Sequence, residues 1–226
     1  MKADLHTHTI YSKDSLTRPE VLVAACARRG VEVVAVTDHN AIAAALEACV
    51  AAERRRAEGQ PAPLVIVGEE ILTAAGEVIG LFLAEFIPAG LSPQETIRRI
   101  RDQGGLVTVP HPFDRLRRGP MTAEALEAIW SLVDAIEIRN ARTTFPSDNE
   151  RARAFAAEKG LLQTAGSDAH TPGELGQCFV DLPAFDGPEG FKRALAQGVV
   201  GGRISLPLVH LHSSYAKLRK KVTRKA

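Results

Sequence analysis

The sequence predicts a single-domain α/β fold whose strands alternate with helices and close into a barrel. Three observations carry that expectation. Short β-branched-rich runs recur between segments bearing helix start and stop signals. Histidines and carboxylates gather where those runs give way to loops. These residues come from six different strands, and neighbouring strands lie about 4.8 Å apart, so an open sheet would spread their ends over roughly 24 Å. Ligands that must sit about 2.0–2.2 Å from one ion can meet only if the sheet closes.

Taken in order, residues 3–5 form a short first strand, followed by a helix from Pro19 to Gly30. The run 31–36 (VEVVAV) is the second strand, and Asn40 to Gly59 the next helix. A third strand covers 64–67, and Gly76, between Thr73 and the apolar run 79–83, marks a hairpin turn. Ser92-Pro93-Gln94-Glu95 is a capping box with Pro at the first helical position, and Gly104 ends that helix. Strand 106–109 (LVTV), helix 122–132 and strand 135–138 (AIEI) follow. Ser147-Asp148-Asn149-Glu150 reads as a second capping box, closed by Gly160. Strand 162–165 and helix 188–198 complete six or seven β-α units with no GxGxxG or GxxxxGK loop among them. Residues 1–205 are expected to form the barrel and 206–226 a basic tail, since 217–225 holds six cations and no acid.

Composition narrows the function. Lys+Arg 28 against Asp+Glu 27 leaves a net charge of +1, so no global field draws the chain to nucleic acid or membrane. The apolar runs are far below a membrane span, and Asp4 and His6 interrupt the start before a signal peptide could form. Cys26, Cys49 and Cys178 are scattered, which suits a reducing cytoplasm.

Five of the seven histidines stand at strand ends: His6 and His8 in DLHTH, His39 in VTDHN, His111 after LVTVP, and His170 in GSDAH. Asp14, Glu69 or Glu70, Glu137 and Asp168 occupy matching places. One histidine at a strand end is commonly a core residue, but five in the same position predict a metal site. Residues two apart on a strand point the same way, so His6 and His8 can serve one ion. Imidazole and carboxylate without thiolate suit Zn, Mn or Fe(II), and nine donors exceed one ion's needs.

DLHTHTIYSKD, VTDHN, VGEEI, His111-Pro112, EIRN and GSDAH together resemble the PHP family, the polymerase and histidinol phosphatase domain, from about residue 1 to 198. The resemblance implies a distorted seven-stranded (β/α)7 TIM-like barrel with two or three divalent metals at its mouth. Carried over by position, His6, His8, Asp168 and a bridging Glu hold the first metal. The bridge with His111 and Glu137 holds the second; Asp14, His39 and His170 hold the third. The family pattern Gly-x-Glu-aliphatic selects Glu70 as the bridge. The implied activity is hydrolysis of phosphate esters, a phosphoric ester hydrolase in which a metal-bridging hydroxide attacks phosphorus. The expected substrate is a small phosphorylated molecule or nucleotide. Other readings are an exonuclease-like phosphodiesterase on nucleic-acid ends, a histidinol-phosphate phosphatase, and a metal-stabilised binding module without turnover.

Around these ligands, Asp38 can accept an imidazole N–H and fix its tautomer, and Asn140 can bond a ligand. Arg115, Arg117, Arg118 and Arg142 lie in mouth loops, and Arg117 and Arg142 are the expected phosphate-binding pair. His210 and His212 repeat the His-x-His pattern away from any strand end and read as surface residues on a solvated tail. Only 26 positions separate His111 from Glu137, too few for a cap domain, so an open mouth is expected.

Overall fold

Nine strands and seven helices are seen in the computed structural model, which describes residues 1–117, 121–206 and 208–223. The strands are β1 (Lys2–Asp4), β2 (Val33–Val36), β3 (Leu64–Thr73), β4 (Gly76–Leu81), β5 (Leu106–Val109), β6 (Ala135–Asn140), β7 (Leu162–Gly166), β8 (Cys178–Asp181) and β9 (Val199–Gly202). The helices are α1 (Pro19–Arg28), α2 (Ala43–Ala57), α3 (Pro93–Asp102), α4 (Ala123–Ile129), α5 (Pro146–Lys159), α6 (Gly187–Leu195) and α7 (Val209–Thr223). None of the helices is long and apolar enough to cross a membrane.

The sheet runs β7-β6-β5-β4-β3-β2-β1-β8-β9. It is nearly closed, because the chain beyond β1 returns to the chain beyond β7. The Leu5 amide donates to Ala165 O (3.2 Å), the Asp168 amide to His6 O (2.8 Å) and the His8 amide to Ala169 O (2.9 Å). The strand count is therefore nine, not the expected seven. The hairpin at Gly76 makes β4 a full antiparallel member between β3 and β5. The ribbon β8-β9 hangs antiparallel on the start of β1. β9 is half glycine (VVGG) and β8 only four residues, so neither carries a readable pattern. The hairpin also lengthens β3 to Thr73, which puts Glu69 and Glu70 inside a strand rather than in the loop after it.

Apolar packing has two layers. Leu5, Ile66, Ile79, Leu81 and Leu106 meet Phe191 of α6 in one cluster inside the barrel. Two further clusters seat α3, α4 and α5, and then α1 and α2, against the outer faces. Ser92 caps α3 as its sequence foretells, accepting from the Glu95 amide at 3.2 Å. Ser147 does not cap α5. That helix begins one residue earlier, at Pro146, whose fixed φ suits the first turn. Within the expected basic tail, residues 209–223 are helical, with Ser213 and Ala216 buried against the body.

Candidate metal centre

The barrel mouth gathers side chains from most of the strands that surround it. After β1, the loop turns His6 and His8 inward, and their Nε2 atoms lie 3.1 Å apart. Glu70 of β3 sits among four imidazoles: His111 Nε2 at 3.0 Å, His39 Nδ1 at 2.9 Å, and His6 and His8 Nε2 at 3.5 Å each. Glu137 of β6 meets His6 Nδ1 at 3.2 Å and accepts from the His111 amide at 2.8 Å. Asp168 Oδ1 lies 3.2 Å from His8 Nε2, and Asp14 Oδ1 lies 3.2 Å from His170 Nε2. All nine residues anticipated as metal ligands thus share one region. Glu69 does not join them: its carboxylate faces outward and accepts from the Ile87 amide.

Backbone strain marks the same place. Asn40, His111 and Asp168 adopt φ of 51°, 27° and 52°, a region that side chains other than glycine's rarely occupy. Gly166 is required behind them, since a Cβ there would come within 2.8 Å of the His6 nitrogen and 2.9 Å of Glu137 Oε1. Such strain is commonly held at functional sites by the packing around them.

Charge and burial set the protonation states. Burial, then the charges of His170 and His39, hold His8 well below the ordinary imidazole range. Burial and Arg117 bring His111 down to about 4, and burial brings His170 to about 4 despite Asp14. Burial opposes the charged form of His6, yet Glu70 and Glu137 outweigh it and raise it to about 10. Glu70 and Asp14 stay well below the usual carboxylate range, because neighbouring imidazoles outweigh burial. Glu70 likewise draws His39 up against burial, so His8, His111 and His170 are the neutral imidazoles beside ionised carboxylates, the pairing that a divalent cation requires.

The test of fit is which buried oxygens lack a hydrogen bond: Asp14 Oδ1, Glu70 Oε2 and Asp168 Oδ1 do so within the cluster, while Glu69 Oε1, Thr143 Oγ1 and Ser205 Oγ do so away from it. A buried polar atom without a partner costs about 1–3 kcal/mol, and several facing one point call for a cation. Donor atoms of His8, His39 and His170, of His6, His8 and Glu70, and of His6, His111 and Glu137 lie mutually close enough to share an ion. Five imidazoles, four carboxylates and no thiolate fit divalent metals of the Zn, Mn or Fe(II) kind.

The supporting residues differ from expectation in part. Asp38 touches no imidazole. It accepts from the amides and hydroxyls of Thr9 and Ser12, and Ser12 Oγ, 3.0 Å from His8 Nδ1, relays that contact to the imidazole. Serine is too common to single out by type, so Ser12 was invisible in the sequence. Asn140 donates to both Glu137 (3.0 Å) and Asp168 (3.3 Å), tying two candidate ligands together. Glu77 of β4 is a second residue that sequence reading missed. It faces the cluster, and burial with the charge of Glu70 pushes its carboxyl up to about 7.

A cavity of about 650 Å³ opens above the cluster, bounded by Lys13, Arg117, His210 and Lys217 among others. Arg117 lines it and ion-pairs with Asp168. Arg115 pairs with Asp148 at the start of α5 instead, and Arg118 lies outside the described residues. Arg142, expected to meet phosphate, lines the cavity too, with most of its side chain buried and Nη1 2.6 Å from Glu174 and Nη2 2.7 Å from Ser213 of α7. In this structure its guanidinium clamps α7 to the body. His210 is exposed as expected, yet α7 brings it to the cavity edge, so the mouth is partly roofed rather than open.

A family model described as the PHP domain matches residues 4–116, and one described as PHP-associated matches 146–200. The uncharacterized protein MJ1587 of Methanocaldococcus jannaschii is 41% identical over 152 residues, covering 62% of this chain and 82% of that protein. A two-domain protein from Bacteroides vulgatus containing a predicted PHP-like metal-dependent phosphoesterase superposes with TM-score 0.71 at 21% identity. That likeness covers 90% of this chain and 65% of the other, so this chain spans just under two thirds of its length. The lesion-specific endonuclease PfuEndoQ of Pyrococcus furiosus is similar with TM-score 0.61 at 14% identity, over 88% of this chain and 57% of that one. At these identities the structural likeness speaks for the fold.

Proposed function

The chain belongs to the PHP domain family, and from that premise we propose that it is a metal-dependent phosphoesterase acting on a small phosphorylated molecule or nucleotide. The observation that carries the reading is three buried carboxylate oxygens without a hydrogen bond, on Asp14, Glu70 and Asp168, set among five imidazoles. His6, His8, Asp168 and Glu70 would hold one ion, Glu70, His111 and Glu137 a second, and Asp14, His39 and His170 a third. Divalent ions there would lower the pKa of water toward about 7 and draw charge from phosphoryl oxygens.

The chain's own residues do the positioning. Asn140 fixes the carboxylates of Glu137 and Asp168, and the Asp38–Ser12 pair fixes the ring of His8. Arg117 offers a guanidinium fork at the cavity wall, a shape that matches a phosphoryl group. A cavity of about 650 Å³ suits a ligand of nucleotide size. Lys13 and Lys217 at its rim favour, as a second reading, a phosphodiester at an oligonucleotide end.

The deciding experiment compares phosphomonoesters, nucleotides, a model phosphodiester and short oligonucleotides, each with added Mn2+ or Zn2+. Metal-dependent turnover that a chelator abolishes is the expected result. Protein that carries stoichiometric metal yet turns over nothing on the panel would be a metal-stabilised binding module instead.

A further inference from the structure

Nine residues are accounted for by the family's ligand pattern; Glu77 is not among them. It enters from β4, the one antiparallel strand between β3 and β5. The register pairs Glu70 with Ile79 and Leu72 with Glu77, so Glu77 lies two positions from Glu70's cross-strand partner and on the same face. Its two oxygens diverge. Oε1 lies 3.8 Å from His39 Nδ1 and Oε2 lies 3.8 Å from His111 Nε2. Glu70 spans the same two imidazoles, with Oε2 at 2.9 Å and Oε1 at 3.0 Å.

Two carboxylates therefore straddle one pair of imidazoles side by side. Like charges held so closely repel, and a proton or a cation between them relieves the repulsion. The 3.8 Å contacts are too long for hydrogen bonds. They fall within the roughly 4.2 Å that can separate two donors each about 2.1 Å from a shared ion. The buried oxygen of Glu70 that lacks a hydrogen bond, Oε2, is the one nearest His39. His39, Glu70 and Glu77 also present donor atoms close enough to share an ion.

We propose that Glu77 is a metal ligand, its two oxygens reaching separate ions held through His39 and His111, so that β4 contributes a second carboxylate bridge beside Glu70. The inference rests on the metal-centre reading above. It gives the antiparallel strand a chemical purpose: only a hairpin inserted in the barrel brings a second acid to this edge of the cluster.

The test uses full-length protein reconstituted with Mn2+ alone. Metal content is measured by mass spectrometry and ion–ion coupling by electron paramagnetic resonance. Wild type should bind two or three ions and show a spin-coupled signal. Glu77→Gln, which keeps the shape and removes the charge, should lose one ion or bind the last at least tenfold more weakly, with the coupled signal reduced and circular dichroism unchanged. Glu77→Asp should recover part of both. Wild type that takes up no Mn2+ overturns the metalloenzyme reading and this inference together. Wild type with its full complement, and Glu77→Gln matching it in content, affinity and coupling, overturns the role of Glu77 alone.

Discussion

One acid, Asp134, precedes strand β6 and another, Glu137, lies within it, and the chain treats them oppositely. Below its first residue, Asp134 meets Arg101 at 2.7 Å, Lys192 at 2.7 Å and the Val107 amide at 2.8 Å. Toward the mouth, Glu137 joins a cluster in which Asp14, Glu70 and Asp168 each keep an oxygen without a hydrogen bond. The lower end is neutralised by cations of the fold itself. The upper end relies on imidazoles, and on Arg117 and Lys217 from the cavity rim. Positive φ is found at both ends, at His111 and Asp168 in the mouth and at Phe82 beside Phe191. One end of the barrel is built for stability and the other is held ready for ions, as parallel α/β barrels place their chemistry at the C-terminal strand ends.

The sharpest way to break this comparison is Asp168→Ala. Removing a residue proposed as a direct ligand should cost more than the about 10–100-fold loss typical of a residue behind one. Turnover and metal content should both collapse, while circular dichroism of the metal-free protein is unchanged, since Arg117 keeps Asp114 as a partner. Activity within twofold of wild type would show that the mouth is not organised around Asp168.

Metal removal comes next. An ion present at 100 times its Kd stabilises the folded state by about 2.7 kcal/mol, which for a chain of this size is about 5–10 °C in Tm. A chelator titration followed by calorimetry should show that loss. Asp134→Ala is the matching change at the lower end. It strands the buried Val107 N–H and should cost about 1–3 kcal/mol. Its Tm should fall equally with and without chelator, with kcat and metal content intact. A chelator-dependent fall would erase the distinction between the two ends.

Much of the mouth was legible because its signals are local. HTH and SDAH each set two donors two residues apart at a strand end, TDHN sets one, and the strands before them are short apolar runs. What escaped notice depends on register or on distance along the chain. Glu77 becomes a neighbour of Glu70 only through the hairpin pairing, and a single glutamate after a glycine carries no mark of it. Ser12 acts through a hydroxyl between Asp38 and His8, 26 residues from the one and four from the other. β8 and β9 are too short and glycine-rich to declare themselves. The terminal helix was misread because its cations suggested solvation, whereas Lys217 reaches Asp14 at 3.3 Å and Ser213 turns inward.

That helix supplies the smallest and most discriminating effect. Arg142 was expected at the phosphate, yet its guanidinium lies between Glu174 and the α7 residues Ser213 and Val209. If it acts by seating α7, Arg142→Ala should raise KM by a few-fold, leave kcat nearly unchanged and expose the terminus to proteolysis. Deleting 206–226 should raise KM by the same amount, because it removes the same cavity wall with His210 and Lys217. The two changes combined should then cost no more than either alone, since residues acting as one unit do not add. Arg142→Lys should not restore the wild-type KM, because a point charge cannot bridge Glu174 and Ser213 together. Additive losses in KM would put Arg142 at the substrate after all, and α7 would then be a separate cover.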